Sequence, residues 1–462
     1  MGRTQPARIR ARGHGFRAGS DRADRRRGFR VRARVALSVV IAAILGLVLA
    51  ACGSGPSDGQ HETTLTVWSF QGASSDPTAG VPYAFYLIDK NFEATHPGIQ
   101  INMVTQPFDN YRPLFAAAAA AQSGPDVWES LPGSYTYQYT AALKPLNAYL
   151  SPRYKASLSG WDGVTVPQWS NSGTIYGIPS ELQANVWYYN KALFKKAGLS
   201  GPPASWAQLI ADCRTLESHG ITPLANGTAD DEGALNYINA ILPSMLPANE
   251  MIGLSTGKFS WASPTVRESL QLLEDLAPYY ESGFTGILYE GPGSDLFPGG
   301  HVAIIPGLAS NNNNYFQYEQ ALGKNNVGVF RAPAVPGYEQ YAKQIGFEGD
   351  YSWTVTKWAS DTSAAVEYAE FMTTPASEKI LLDDGGDIPN LTSAPASWFT
   401  GTPVRIEQIL KNATGTPPPP GAVMDSALST YFGEQTDDVF TGSESAAAAA
   451  ENIQSYALSG GP

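Results

Sequence analysis

Residues 175–213 read IYGIPSELQANVWYYNKALFKKAGLSGPPASWAQLIADC. The period changes within this stretch. TIYGIP (174–179) and ANVWYYN (184–190) are dense in β-branched and aromatic residues, which predicts two strands. Further on, Trp206, Leu209, Ile210, Cys213 and Leu216 fall on one helical face. Ser205, with Gln208 three residues later, forms a capping box and marks the helix start. A switch from strand period to helix period, repeated along a chain, indicates α/β layers.

The alternation continues in both directions. Upstream, TTLTVWSF (63–70) and IQINMV (99–104) read as strands. Between them, Phe85, Ile88 and Phe92 share a helical face, and Gly98 suits a helix stop. Residues 111–123, with six consecutive alanines, predict a small-residue helix, and Asp126-Val127-Trp128 opens a short strand. Downstream, Ser263-Pro264 starts a helix carrying Val266, Leu270, Leu273 and Ala277. HVAIIPG (301–307), VGVF (327–330) and SWTVTKWA (352–359) follow as strands. Helices are expected from near Ser360, from near Thr374 and over 443–458, and the four prolines within 416–421 make a loop. No internal repeat is visible.

The first 51 residues read differently. Residues 1–34 carry twelve arginines against Asp21 and Asp24, and VALSVVIAAILGLVLA (35–50) carries no charge. A basic segment, a short apolar run and small residues make a secretory signal; a spanning helix needs about 20 apolar residues. Arg26-Arg27-Gly28-Phe29 is similar to a twin-arginine export signal, with Arg25 and Arg30 off the pattern, so the general and twin-arginine routes both stay open. Leu49-Ala50-Ala51-Cys52 resembles a bacterial lipobox. That implies cleavage before Cys52 and acylation of its thiol and new amino group. Residues 52–62 then form a lipidated flexible tether.

The mature chain, roughly 400 residues, exceeds what one core usually holds, so two lobes are expected. Without the leader's twelve arginines and two acids, the 30 basic and 42 acidic residues fall to 18 and 40, a net charge of about −22. Nucleic acid and polyanionic ligands are poor partners for such a surface. Cys213 is the other cysteine and reads as a small core residue.

Motifs for chemistry are weak. Gly253-Leu254-Ser255-Thr256-Gly257 matches a nucleophile elbow but reads as a turn between Met251-Ile252 and Lys258-Phe259. No His/Cys spacing suits zinc, no EF-hand loop occurs, and no cofactor is indicated. Carboxylates lie near aromatics instead: Glu129 beside Trp128, Asp350 beside Tyr351 and Trp353, Glu181 before Trp187. A glycosidase needs two carboxyls across one bond, whereas the same residues bind sugars by hydrogen bonding and ring stacking.

The segments FEATHPGIQINMV, YRPLFAAAAAAQSGPDVWES, LKPLNAYL and the quoted 175–213 occur in the order of a known family, with Gly300–Ile304 as G-x-V-A-I. The chain resembles the extracellular solute-binding proteins of ABC importers, in the branch of maltose-binding protein, from about residue 63 to 390. The resemblance implies two α/β lobes, three hinge crossings and a ligand cleft between lobes. Lobe 1 would be 63–179 and 346–374; lobe 2 would be 180–345 and 375–462. It implies a monomeric, non-enzymatic carbohydrate receptor, lipid-anchored through Cys52 on the outer face of the cell membrane, that delivers its ligand to a permease. Contacts implied by position are Phe70, Gln71, Glu129, Ser130, Glu181, Asp230, Asp231, Asp350 and Tyr431. The family often has tryptophan after G-x-V-A-I; this chain has Pro306-Gly307-Leu308-Ala309-Ser310-Asn311. Asn311 could hydrogen-bond the ligand, with stacking moved to Trp353 or Trp261. Other readings are a receptor for a polyol or glycerol phosphodiester, an exported glycoside hydrolase, and a surface adhesin.

Overall fold

A computed structural model describes residues 63–130, 133–150, 174–229, 232–309, 314–389 and 394–459. The expected signal, Cys52 and the tether lie outside the described residues, as do Asp230, Asp231 and Asn311. No helix among the described residues is long and apolar enough to cross a membrane.

The chain opens as strand β1 (Thr63–Ser69), helix α1 (Val81–Thr95), β2 (Ile99–Thr105), α2 (Phe108–Ala121), β3 (Val127–Ser130) and the short α3 (Ser134–Tyr137). β4 (Gly177–Asn190) leads to α4 (Lys191–Lys196), α5 (Trp206–Ser218), β5 (Thr222–Leu224), α6 (Glu232–Ile241), α7 (Ala248–Ser255) and α8 (Pro264–Leu276). Then come β6 (Val302–Leu308), α9 (Asn314–Leu322), β7 (Val327–Phe330) and β8 (Phe347–Val355). Helices close the chain: α10 (Thr362–Met372), α11 (Pro375–Ile380), α12 (Thr402–Lys411), α13 (Pro420–Val423), α14 (Ser426–Thr441) and α15 (Ala446–Ser459).

The strands form two sheets joined through β4. The first has the order β2-β1-β3-β8-β4, and the second runs β4-β6-β5 with β7 also on β4. β4 is one 14-residue strand where two were expected. With Ser180, Glu181 and Gln183 the middle of β4 looks like a break in the sequence, but here it pairs with β8, with Glu181 opposite Asp350 and Gln183 opposite Glu348. From Asn185 onward β4 changes partners to β6 and β7.

Each sheet has its own core. In the first, alternation along β1 sends Leu65 and Val67 inward, where they meet Phe85, Ile88 and Phe92 of α1 and Trp353 of β8. The second sheet is covered on both faces. Trp187 and Tyr189 join one cluster with Trp206, Leu209 and Cys213 of α5, while Val186 and Tyr188 join another with Val302 and Ile305. That double burial explains why ANVWYYN is apolar almost throughout. The α5 cap forms as expected: Ser205 Oγ accepts from the Gln208 amide at 3.3 Å, and Gln208 Oε1 accepts from the Ala204 amide at 3.1 Å. Cys213 is fully buried, and burial pushes its thiol pKa up. Gly253 and Ser255 fall in helix α7, not in a turn, and the Ser255 hydroxyl donates to the Ile252 carbonyl at 2.8 Å.

The crossings fall differently from the expected 179/180, 345/346 and 374/375. β4 changes sheet within its length, and Phe347 already packs in the second lobe while Trp353 packs in the first. α11 and the turn after it put Ile380 and Leu381 against the first core, whereas Ile388 belongs to the second. Gly386, at φ 82°, adopts the left-handed cap that ends this turn and releases the chain towards Pro389, which bridges to Glu181.

Candidate functional site

The strand register places the site. β1 and β3 are parallel, and Ser130, at the end of β3, lies opposite Ser352, on the part of β8 that leads back towards the second lobe. β5 and β6 are parallel, and Leu308, at the end of β6, lies opposite Asn185, where β4 changes sheet. The carboxyl ends of both parallel sets therefore flank the crossing strands. Open α/β sheets bind ligands at such ends.

In the first lobe, Ser69 Oγ accepts from the amides of Gln71 and Gly72 at 3.0 and 2.9 Å. This turn brings Gln71 Nε2 to 3.3 Å from Glu129 Oε1. Glu129 is fully buried, and its Oε2 finds no hydrogen-bond partner among the described residues. Burial pushes its carboxyl pKa up to about 8; the Ser69 and Gln71 hydrogen bonds oppose the rise, and the nearby Glu181 charge adds to it. The Tyr111 hydroxyl lies 2.6 Å from the Glu129 carbonyl oxygen and 3.0 Å from that of Trp68, tying the two strand ends together.

Phe70 completes this wall. Its ring makes edge contacts with Phe108, Tyr111 and Tyr351, at centroid distances of 5.3, 5.3 and 4.7 Å. Ser130 is buried and its hydroxyl donates to the Ser352 carbonyl at 3.1 Å, so it fastens β3 to β8.

On the crossing strand, Glu181, Gln183 and Asn185 alternate with Leu182 and Ala184 and so share one face. All three are buried, and Asn185 Oδ1 has no partner among the described residues. Gln183 and Asn185 were not singled out from the sequence. The signal was the alternation E-L-Q-A-N inside a strand otherwise built for burial. Asp350 lies opposite Glu181 on β8, but only its backbone is described.

In the second lobe, Asn226 follows β5. Its side chain is fully buried and neither polar atom has a partner among the described residues. Its backbone N–H donates to the Glu281 carboxylate at 3.2 and 3.4 Å, and burial raises the Glu281 pKa to about 7. The Tyr237 hydroxyl holds the Ala225 carbonyl at 2.6 Å. Asn226 also escaped the sequence reading, which went to the acidic pair Asp230 and Asp231 in the same loop.

Two expected aromatic contacts, Trp353 and Trp261, are corrected, and Tyr431 is half-buried. Trp353 is fully buried, edge-on to Phe85 at 5.3 Å and Tyr368 at 6.1 Å, because its register opposite Ile178 turns it into the first core. Trp261 is buried against Phe432 at 5.5 Å. Tyr431 stacks on Tyr456 at 4.2 Å and joins α14 to α15.

Two sheets, strands shared between them and polar groups at the strand ends define a two-lobed solute-binding fold. The family model of the bacterial extracellular solute-binding proteins matches residues 76–379, more than half of the chain, and the chain belongs to that family. A binding protein of Brucella abortus is 29% identical over 187 residues, covering 38% of this chain and 40% of that one, so the match spans well under half of that relative. The maltooligosaccharide ABC transporter solute-binding lipoprotein of Streptococcus pneumoniae is 22% identical over 300 residues, 61% of this chain and 64% of that one. Among solved structures, a chitin oligosaccharide binding protein superposes with a TM-score of 0.75 at 20% identity, covering 86% of this chain and 98% of that one.

Proposed function

We propose that the chain is the receptor of an ABC importer, capturing a carbohydrate between its lobes and handing it to a membrane permease. The observation that carries this reading is the set of buried polar groups with unmet hydrogen-bonding capacity at the strand ends: Glu129 Oε2, Asn185 Oδ1 and both ends of Asn226. Buried polar atoms are nearly always paired. A ligand rich in hydroxyls, each both donor and acceptor, satisfies carboxyl and amide groups together. An acidic chain, at net charge −12 with its leader, does not suit an anionic ligand.

The mechanism is closure. A ligand touching groups on both lobes favours the closed arrangement by its differential affinity, and β4, β8 and residues 386–389 are the segments that bend. No step of bond making is involved. The receptor works as a monomer held to the outer membrane face by lipid on Cys52, and Cys52→Ala should leave the uncut leader in place and abolish acyl labelling.

A thermal-shift screen against mono- and oligosaccharides tests the reading. A ligand at 100 times its dissociation constant adds about 2.7 kcal/mol, a rise of a few degrees for a chain of this size. A rise confined to one sugar class supports the proposal. Flat curves with all sugars and a rise with a polyol or a glycerol phosphodiester would replace the ligand class and keep the receptor.

A further inference from the structure

Helix α2 carries an aromatic stripe at Phe108, Tyr111 and Phe115. Phe115 is fully buried and stacks on Trp128 with centroids 3.5 Å apart and planes 6° apart. Tyr111, one turn earlier, is also fully buried and ties the ends of β1 and β3. Core packing accounts for both. Phe108 continues the stripe out of the core and is 41% exposed. Its one ring contact among the described residues is edge-on to Phe70, which is itself held by Tyr111 and Tyr351. Core packing gives no reason to keep a phenyl ring in water at this position.

We infer that Phe108 is the stacking platform of a sugar-ring subsite at the mouth of the cleft, supported from below by Phe70. The inference rests on the carbohydrate reading above. The apolar C–H face of a pyranose covers an aromatic ring while its hydroxyls stay at the edge. Phe70 is followed directly by Gln71, which reaches Glu129, so a ring on Phe108 lies next to the buried polar set. The two tryptophans that could have stacked a sugar, Trp353 and Trp261, are closed into cores. Phe108 needs no rearrangement to be reached, and three edge contacts keep Phe70 from yielding beneath it. The subsite holds a ring beyond the residue gripped by the carboxyl and amide groups, so it selects oligosaccharides over the corresponding monosaccharide.

The test is titration calorimetry on the full-length protein in a polyoxyethylene detergent, which carries no sugar headgroup. The probes are malto-, xylo-, arabino- and chito-oligosaccharides and their monosaccharides. For an oligosaccharide the parent protein binds, Phe108→Ala should weaken binding roughly tenfold and Phe108→Trp should restore it. The monosaccharide should bind equally to all three. Sugar should also shield the new indole of Phe108→Trp from acrylamide quenching, a readout that a purely structural role would not move. If the parent binds an oligosaccharide and Phe108→Ala, folded by circular dichroism, binds it equally well, the platform is refuted and the receptor reading stands. If the parent binds no sugar at all, the platform falls together with the carbohydrate reading it rests on.

Discussion

The two walls beside the crossing strands are built from different chemistry. The first lobe offers a carboxyl, an amide and an aromatic cluster: Glu129, Gln71 and the rings around Phe70. The second offers the neutral amide of Asn226, set in a loop of tight backbone contacts, with Glu281 held beneath its N–H. The first wall carries aromatic rings beside its carboxyl, and the second presents hydrogen-bonding groups alone; each holds one carboxyl whose pKa burial has raised. A receptor so divided would seat its ligand on the first lobe by area and hydrogen bonding, and use the second to confirm it on closure. Each of the following predictions breaks or sharpens that contrast.

The largest effect concerns an aromatic that belongs to neither wall. Trp353→Ala should cost about 3–5 kcal/mol of unfolding free energy by denaturant titration, since it removes a fully buried indole. The milder Trp353→Phe, once folded, should keep its sugar affinity; lost affinity would return Trp353 to the binding surface. Next, Glu181→Ala should weaken ligand binding about 100-fold by calorimetry, the scale of a lost hydrogen bond to a charged group.

Glu129→Gln addresses the pH response. A carboxyl raised from an ordinary 4.5 to about 8 holds its proton in the folded protein while the unfolded chain has released it. Its stabilising contribution is complete below pH 4.5 and is lost as pH rises through 8. The parent should therefore lose stability between pH 5 and 8, and Glu129→Gln should flatten that loss by on the order of 2 kcal/mol. Asp89, raised to about 7 by burial despite the Tyr368 hydrogen bond, and Glu281, also raised to about 7 by burial, titrate in the same window and set the residual slope.

The smallest effect is at the contact between the lobes. Gly133 has φ 63°, and a Cβ there would lie 2.4 Å from the Ala422 carbonyl oxygen; nearby, Gln138 Nε2 donates to Ser426 Oγ at 3.0 Å. Gly133→Ala should weaken ligand binding by about fivefold, roughly 1 kcal/mol. Small-angle scattering of the liganded variant should show a less complete closure than in the parent.

Much of the fold was legible because periodicity follows burial. The strands at β1, β2 and β6 and the helix face of α5 all appear as the spacing predicts. The joined strand β4 was not legible, because its polar middle looks like a loop until β8 is placed beside it. The expected site divides the same way. Glu129 and Glu181 stood out as carboxylates near Trp128 and Trp187 and by their place in the family pattern, and both are buried. Trp353 misled because the face a strand residue takes is set by register, and register is not written locally. Gln183, Asn185 and Asn226 were overlooked because neutral amides look like ordinary surface residues until their burial is known.

The central claim is that one carbohydrate touches both walls at once. Titration calorimetry of the best-binding oligosaccharide into Glu181→Ala, Asn226→Ala and the parent tests it most directly. The account predicts one site per chain, with affinity reduced about 100-fold by the first substitution and about tenfold by the second. Unchanged affinity in folded Asn226→Ala would contradict it, since the ligand would then rest on the first lobe alone.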